Sequence, residues 1–316
     1  MWFSLSVILL TAWTCLADPA DTMTHSMSAH RSASTRSRRM VGGTLAPHVP
    51  WQAMVYLGDS LLDGGFAGGA LICDRWILTA GRNLFVNKSR QAIQGKAPTI
   101  PKVYLDISSK EQATAAKEHA VQKVVLHPHF QAQSDWDNDL ALIQLKDPVV
   151  LSKTLIPIPL PCSSRSHLTE VGRSGAIAGW GLGALLTPAS SIKHLVLPFA
   201  NQSECKEEYE HQKHTPAVDD HMFCTGPTVY EENVCFGDAG GALAVRDPID
   251  GDVYAVGILS YDKCCRTSKY AVYMKLTAYL PWIHHVIRGD TTESAKLRST
   301  VMAEMYSRQP QTLPAV

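Results

Sequence analysis

The chain has 316 residues, 45% of them apolar and 18% charged, enough to bury one large core or two moderate ones. Its 29 Lys and Arg balance 29 Asp and Glu, so nothing in the net charge supports a nucleic-acid or anionic-membrane role. Beyond the N-terminus no run approaches the roughly 18 consecutive apolar residues that a membrane-spanning helix needs.

In chain order, residues 1–17 carry an apolar run with a small-residue ending at Cys15-Leu16-Ala17. This reads as a signal peptide, although no Lys or Arg precedes the run. Residues 18–39 are polar, rich in Ser, Thr and Ala, and without apolar periodicity, which predicts a disordered propeptide. They end in Arg36-Ser37-Arg38-Arg39, a basic run of the kind processing proteases cut, so that Arg39 and Met40 would flank the cleavage. Secretion permits disulfides. Of eight cysteines, Cys15 leaves with the leader, and an odd number remains to be paired.

From residue 40 to 288 short alternating or apolar runs are punctuated by Gly, Pro, Asn and Asp. Residues 51–57, 69–80, 120–128, 139–145, 175–181, 193–200, 254–261 and 271–279 all read as strands. One convincing helix lies at 280–289. The pattern predicts an all-β barrel or sandwich pair, followed by a tail at 289–316. Asn87-Lys88-Ser89 and Asn201-Gln202-Ser203 are N-glycosylation sequons beside strand ends. The thirteen histidines show no metal-ligand spacing, and adjacent His284 and His285 would point apart on a helix. No metal or cofactor is expected.

Several motifs then fall in one order: Met40-Val41-Gly42-Gly43, Pro50-Trp51-Gln52-Ala53, Trp76-Ile77-Leu78-Thr79-Ala80, Asp139-Leu140-Ala141-Leu142, Gly179-Trp180-Gly181 and Gly237-Asp238-Ala239-Gly240-Gly241. Together they resemble the chymotrypsin/trypsin-like serine protease family. The resemblance implies two six-stranded antiparallel barrels with a C-terminal helix. It places Arg82, Asp139 and Ala239 at the positions of base, orienting carboxylate and nucleophile. Alanine has no nucleophilic atom, and arginine stays protonated at physiological pH, so the triad chemistry of hydroxyl, imidazole and carboxylate is not available. Asn233 stands at the base of the primary specificity pocket. Asp262 and Ala271 stand where glycines keep it open, and they are expected to fill it. Asp238 occupies the position that pairs with a newly cut α-amino group, here that of Met40. An Arg82–Asp139 ion pair is expected to keep the carboxylate satisfied.

Within that family the finer details resemble the haptoglobins, a non-catalytic branch. The stretch from Leu78 to Ser89, Ala97-Pro98-Thr99, Val124-Val125-Leu126-His127-Pro128, Tyr230-Glu231-Glu232-Asn233 and Gly257-Ile258-Leu259-Ser260-Tyr261-Asp262-Lys263 carry the similarity. It implies a secreted, acute-phase plasma protein that captures haemoglobin and limits haem-driven oxidation, with a clearance receptor left open as a second partner. The other reading is a generic pseudoprotease decoy that regulates proteolysis. Only residues 18–39 separate leader and domain, and Pro159 replaces the cysteine of the family's interdomain motif, which fits a compact, fish-like form. The resemblance also pairs Cys205 with Cys224 and Cys235 with Cys265, leaves Cys73 a buried thiol because Asn83 replaces its partner, and leaves Cys162 and Cys264 to pair together or with another chain. Tyr261 and Lys263 are the expected haemoglobin contacts.

Overall fold

The computed structural model describes residues 43–46, 48–58, 65–85, 97–130, 136–182, 189–210, 217–228, 233–262, 265 and 269–289. The expected leader (1–17) and propeptide (18–39), together with Met40, Asn87, Lys263, Cys264 and residues 290–316, lie outside them. Fourteen strands and two α-helices organise the described chain. The first eight strands are β1 (Thr44–Leu45), β2 (Gln52–Tyr56), β3 (Phe66–Cys73), β4 (Trp76–Thr79), β5 (Lys102–Tyr104), β6 (Glu118–His119), β7 (Val121–Leu126) and β8 (Ala141–Leu145). After them come β9 (Ser174–Gly179), β10 (Lys193–Pro198), α1 (Gln202–Glu210), β11 (Met222–Thr225), β12 (Ala242–Arg246), β13 (Val253–Asp262), β14 (Ala271–Lys275) and α2 (276–289).

The strands form two antiparallel sheets of seven, in the orders β6-β5-β2-β3-β4-β8-β7 and β1-β10-β9-β12-β13-β14-β11. Both close. In the first, β6 runs through Ala120 directly into β7, so one bent segment pairs with β5 at one end and β8 at the other. In the second, Phe199 bridges Thr225, and Ala200 N–H donates to Cys224 O at 2.9 Å. Counted this way each barrel has six strands, and the two-residue β1 is an N-terminal segment laid along the edge of the second. This is the all-β double barrel expected from the sequence, with its C-terminal helix.

Periodicity explains why strands at the seam are buried along both faces. On β4, Ile77 enters the interior of the first barrel, while Trp76 and Leu78 enter the layer between the barrels. On β14, Ala271 and Tyr273 point into the second barrel, and Val272 and Met274 into the shared layer. Helix α2 packs on that layer through Leu276, Tyr279, Leu280 and Ile283, an i, i+3, i+4, i+7 stripe.

Two sequence expectations are corrected here. The strand read at 271–279 stops at Lys275, and the helix read from 280 begins at residue 276, because burial of Leu276 and Tyr279 outweighs the hydrogen bond lost at Pro281. Residues 69–80 are two strands separated by a turn at Asp74 and Arg75. Helix α1 gave no sequence signal, since it is polar nearly all round and buries only Cys205 and Tyr209. It is held by the Cys205–Cys224 disulfide to β11.

Candidate functional site

The seam brings together chain segments that are far apart in sequence. Arg82 sits on the single 3-10 turn Gly81–Leu84 that follows β4, Asp139 just before β8, Ala239 on the loop before β12, and Ser260 and Tyr261 near the end of β13. Asp139 is fully buried. One carboxylate oxygen, Oδ1, accepts the backbone N–H of Arg82 at 2.7 Å. The other, Oδ2, accepts the Ser260 hydroxyl at 2.6 Å and lies 3.6 Å from Arg82 Nε. Burial pushes the Asp139 carboxyl above its usual range, against the pull of the Arg82 charge, the Ser260 hydroxyl and backbone N–H groups of Arg82 and Gly81. Arg82 therefore faces Asp139 at ion-pair distance, but without a direct side-chain hydrogen bond.

Sequence reading missed what covers Arg82. Its guanidinium carbon stands 5.3 Å from the centre of the Trp136 ring and 6.0 Å from that of Tyr261, within cation–π range. Trp136 and Asn138 both adopt left-handed backbone, with φ of 58° and 52°, a strained approach to Asp139 for residues with side chains. A tryptophan set among Asp135, Asp137 and Asn138 was the available signal. Tyr261 is only 7% exposed, and its ring packs edge-on against Tyr209 at 5.4 Å. Tyr261, one of the two expected haemoglobin contacts, thus offers little exposed surface of its own and packs near Arg82. Lys263, its expected companion, lies outside the described residues, as does the side chain of Asp262.

The loop with Ala239 is tied to the first barrel. The Ala239 carbonyl accepts Gly68 N–H at 2.9 Å and Asn83 Nδ2 at 2.9 Å. Asn83 thus links the two barrels from the position where the family resemblance removed a cysteine. Its former partner Cys73 is a free thiol. It is half-buried, where full burial was expected, and desolvation pushes its thiol pKa up.

Asp238 is buried just before Ala239. Its Oδ1 accepts Gly181 N–H at 2.8 Å and its Oδ2 accepts Cys235 N–H at 2.9 Å. Gly179 and Gly181 have to be glycine, because a Cβ would stand 2.2 or 2.3 Å from those oxygens. Lys110 is a cation close to this loop: its Nζ sits 3.6 Å above the Phe66 ring, whose edge packs on Gly237. Burial lowers the Lys110 ammonium to about 8, opposed by the Asp238 carboxylate.

At the former pocket, Asn233 Nδ2 donates to Lys269 O at 3.0 Å, a tie between the two walls. Ala271 is fully buried in the apolar cluster that includes Val234 and Tyr273. Cys235 and Cys265 are joined on the same walls, and Cys205 and Cys224 beside them, both pairs implied by the resemblance. Cys162 is a free, exposed thiol. Asn201 is exposed and its Oδ1 accepts the Ser203 hydroxyl at 2.7 Å. Among the described residues no group of His, Cys, Asp and Glu could hold a metal ion, and no helix is long and apolar enough to cross a membrane.

The chemistry of this arrangement is limited by two side chains. Ala239 offers a methyl group where a hydroxyl would attack, and Arg82 offers a permanent cation where a base would accept a proton. Ser260 is buried, and its hydroxyl donates to Asp139.

Comparison with known proteins agrees with this geometry. The family model described as Trypsin matches residues 40–283. The haptoglobin of Oryctolagus cuniculus is 35% identical over 268 residues, covering 80% of this chain and 71% of the relative. That of Sus scrofa is 36% identical over 268 residues, covering 80% and 71%. The haptoglobin of Homo sapiens is 35% identical over 265 residues, covering 79% of this chain and 60% of the relative. The chain belongs to the trypsin family, as a haptoglobin-like member of that protease fold.

Proposed function

We propose that this chain is a secreted, non-proteolytic protein that binds haemoglobin and limits haem-driven oxidation. One observation carries the reading: a protease frame holds Ala239 and Arg82 at the positions of nucleophile and base, in a chain similar to haptoglobins. A frame whose buried carboxylates and cross-barrel hydrogen bonds persist without its chemistry still holds surface loops rigidly, which is what a binding surface requires. A stable complex would bury on the order of 1,600 Å² of total surface. Acute-phase release into plasma and a clearance receptor belong to the same reading. So do the signal peptide at 1–17, cleavage between Arg39 and Met40 with the new ammonium beside Asp238, and glycans on Asn87 and Asn201.

A decoy that engages protease substrates or inhibitors is the competing function. The tie from Asn233 to Lys269 across the former pocket counts against it, since a decoy needs an open cleft. Size-exclusion chromatography of the secreted protein with excess haemoglobin dimers separates the two. Co-elution at micromolar concentration is expected, and separate elution would reject haemoglobin binding in favour of the decoy.

A further inference from the structure

The guanidinium of Arg82 is held as though for a ligand. Trp136 and Tyr261 cover it at 5.3 and 6.0 Å, and its side chain is only 14% exposed. Nε faces Asp139, sealed from solvent and without a hydrogen-bond acceptor. The two terminal Nη groups are not sealed in this way, and among the described residues neither has an acceptor. A guanidinium binds an anion through its N–H groups, and with Nε turned to Asp139 the groups left over are the two terminal ones.

We infer that Arg82, within cation–π range of Trp136 and Tyr261, is a recognition site for a carboxylate side chain on the bound haemoglobin. This rests on the haemoglobin-binding reading and names the chemistry of one contact within it. The planar fork matches the two oxygens of a carboxylate, and such charge-assisted bidentate pairs are the strong, orientation-specific ones. Its low exposure and its contact with Asp139 restrict the arginine before the partner arrives, so little rotamer entropy is lost on binding. Arg, Trp and Tyr are also the residue types that dominate binding hot spots. The same replacement that removed the base thus supplied a binding group. Asp139 takes the inner edge of the cation and leaves the outer edge to the partner.

The test compares wild type, Arg82→Lys and Arg82→Gln in equilibrium binding to haemoglobin dimers over a salt series, each protein first checked by its thermal midpoint. Lysine retains the positive charge beside Asp139 but has no fork. Both variants are expected to bind roughly thirtyfold more weakly or worse, the loss typical of a hot-spot residue. Arg82→Gln is expected to show a shallower salt dependence than wild type. Variants that fold and bind within about twofold of wild type, well inside the scatter of neutral contacts, would overturn the inference while leaving haemoglobin binding intact. Equal salt slopes in wild type and Arg82→Gln would place a neutral acceptor there and overturn the carboxylate assignment. Should either variant misfold, an arginine-selective dicarbonyl on the wild-type protein gives the answer. Arg82 should react in the free protein and be protected in the complex, and unchanged reactivity would refute the contact. Absence of wild-type binding would reject the haemoglobin reading itself.

Discussion

At residue scale, the proposed lack of proteolysis rests on Ala239 and Arg82, which would affect different halves of one reaction. Removing a hydroxyl can be reversed by one mutation; replacing the base with a permanent cation cannot be reversed by the same one. Ala239→Ser would return an oxygen but no base; Asn83, whose amide donates to the Ala239 carbonyl, is a donor on that side. General-base assistance is typically worth ~10²–10⁴-fold, and Arg82 cannot supply it. The expected result is no labelling by a serine-directed fluorophosphonate above background. Haemoglobin binding should be nearly unchanged, since Ala239 is only 7% exposed. Reproducible labelling of purified Ala239→Ser would refute this account of the defect. The side chains of Ala239 and Arg82, on which that proposal rests, were legible in the sequence because side-chain chemistry is local information. The burial of Tyr261 was not, because exposure is a property of everything packed around a residue.

At element scale, α1 shows what a covalent tie does for a segment with little apolar surface. Nine mostly exposed residues make a marginal helix in water. It has two anchors, Tyr209 under the seam cluster and Cys205 bonded to Cys224 across a sequence separation of 19. Closing a loop of that size is worth about 3 kcal/mol in the chain-entropy account. Cys205→Ser with Cys224→Ser is therefore expected to lower the thermal midpoint by roughly 6–12 °C, at the two to four degrees per kcal/mol usual for a domain this large. Calorimetry of the double variant checks it, and an unchanged midpoint would mean that packing of Tyr209 alone holds α1. The strands were easier to read than this helix. Alternation marked most of them directly, whereas the three-residue β5 is too short to show any period.

At the scale of the whole molecule, α2 closes over the seam beside a group of histidines. The His127 ring lies 4.9 Å from that of Trp282, 5.3 Å from Tyr279 and 5.6 Å from His129, and His221 packs 6.0 Å from Tyr279. Burial pulls His127 from an ordinary 6.5 down to about 4, helped by His129 and His221. Unfolded His127 therefore takes its proton at higher pH than the folded residue does. Between those two values the unfolded state holds more protons, and His127 subtracts stability as pH falls. Asp137 and Asp139, whose carboxyls burial raises above 3.8, work in the opposite sense, so the readout is a difference between proteins. Compared with His127→Gln, wild type should lose more stability on acidification from 6.5 to 4, measured by denaturant melts. Parallel pH profiles would show that His127 does not titrate differently on folding.

What the sequence determined by itself was the class of fold, the order of the motifs along it and the side-chain identities at Ala239 and Arg82. Strand alternation and side-chain identity are both written within a few residues of each other. Tertiary structure decided the partnerships. It brought the Arg82 backbone to Asp139 over 57 positions, Ser260 to Asp139 over 121 and Asn83 to Ala239 over 156. It also brought Trp136 to the Arg82 cation, a contact no local pattern pointed to. Those contacts depend on how two closed barrels meet at one seam, and no short window of sequence contains both sides of that seam.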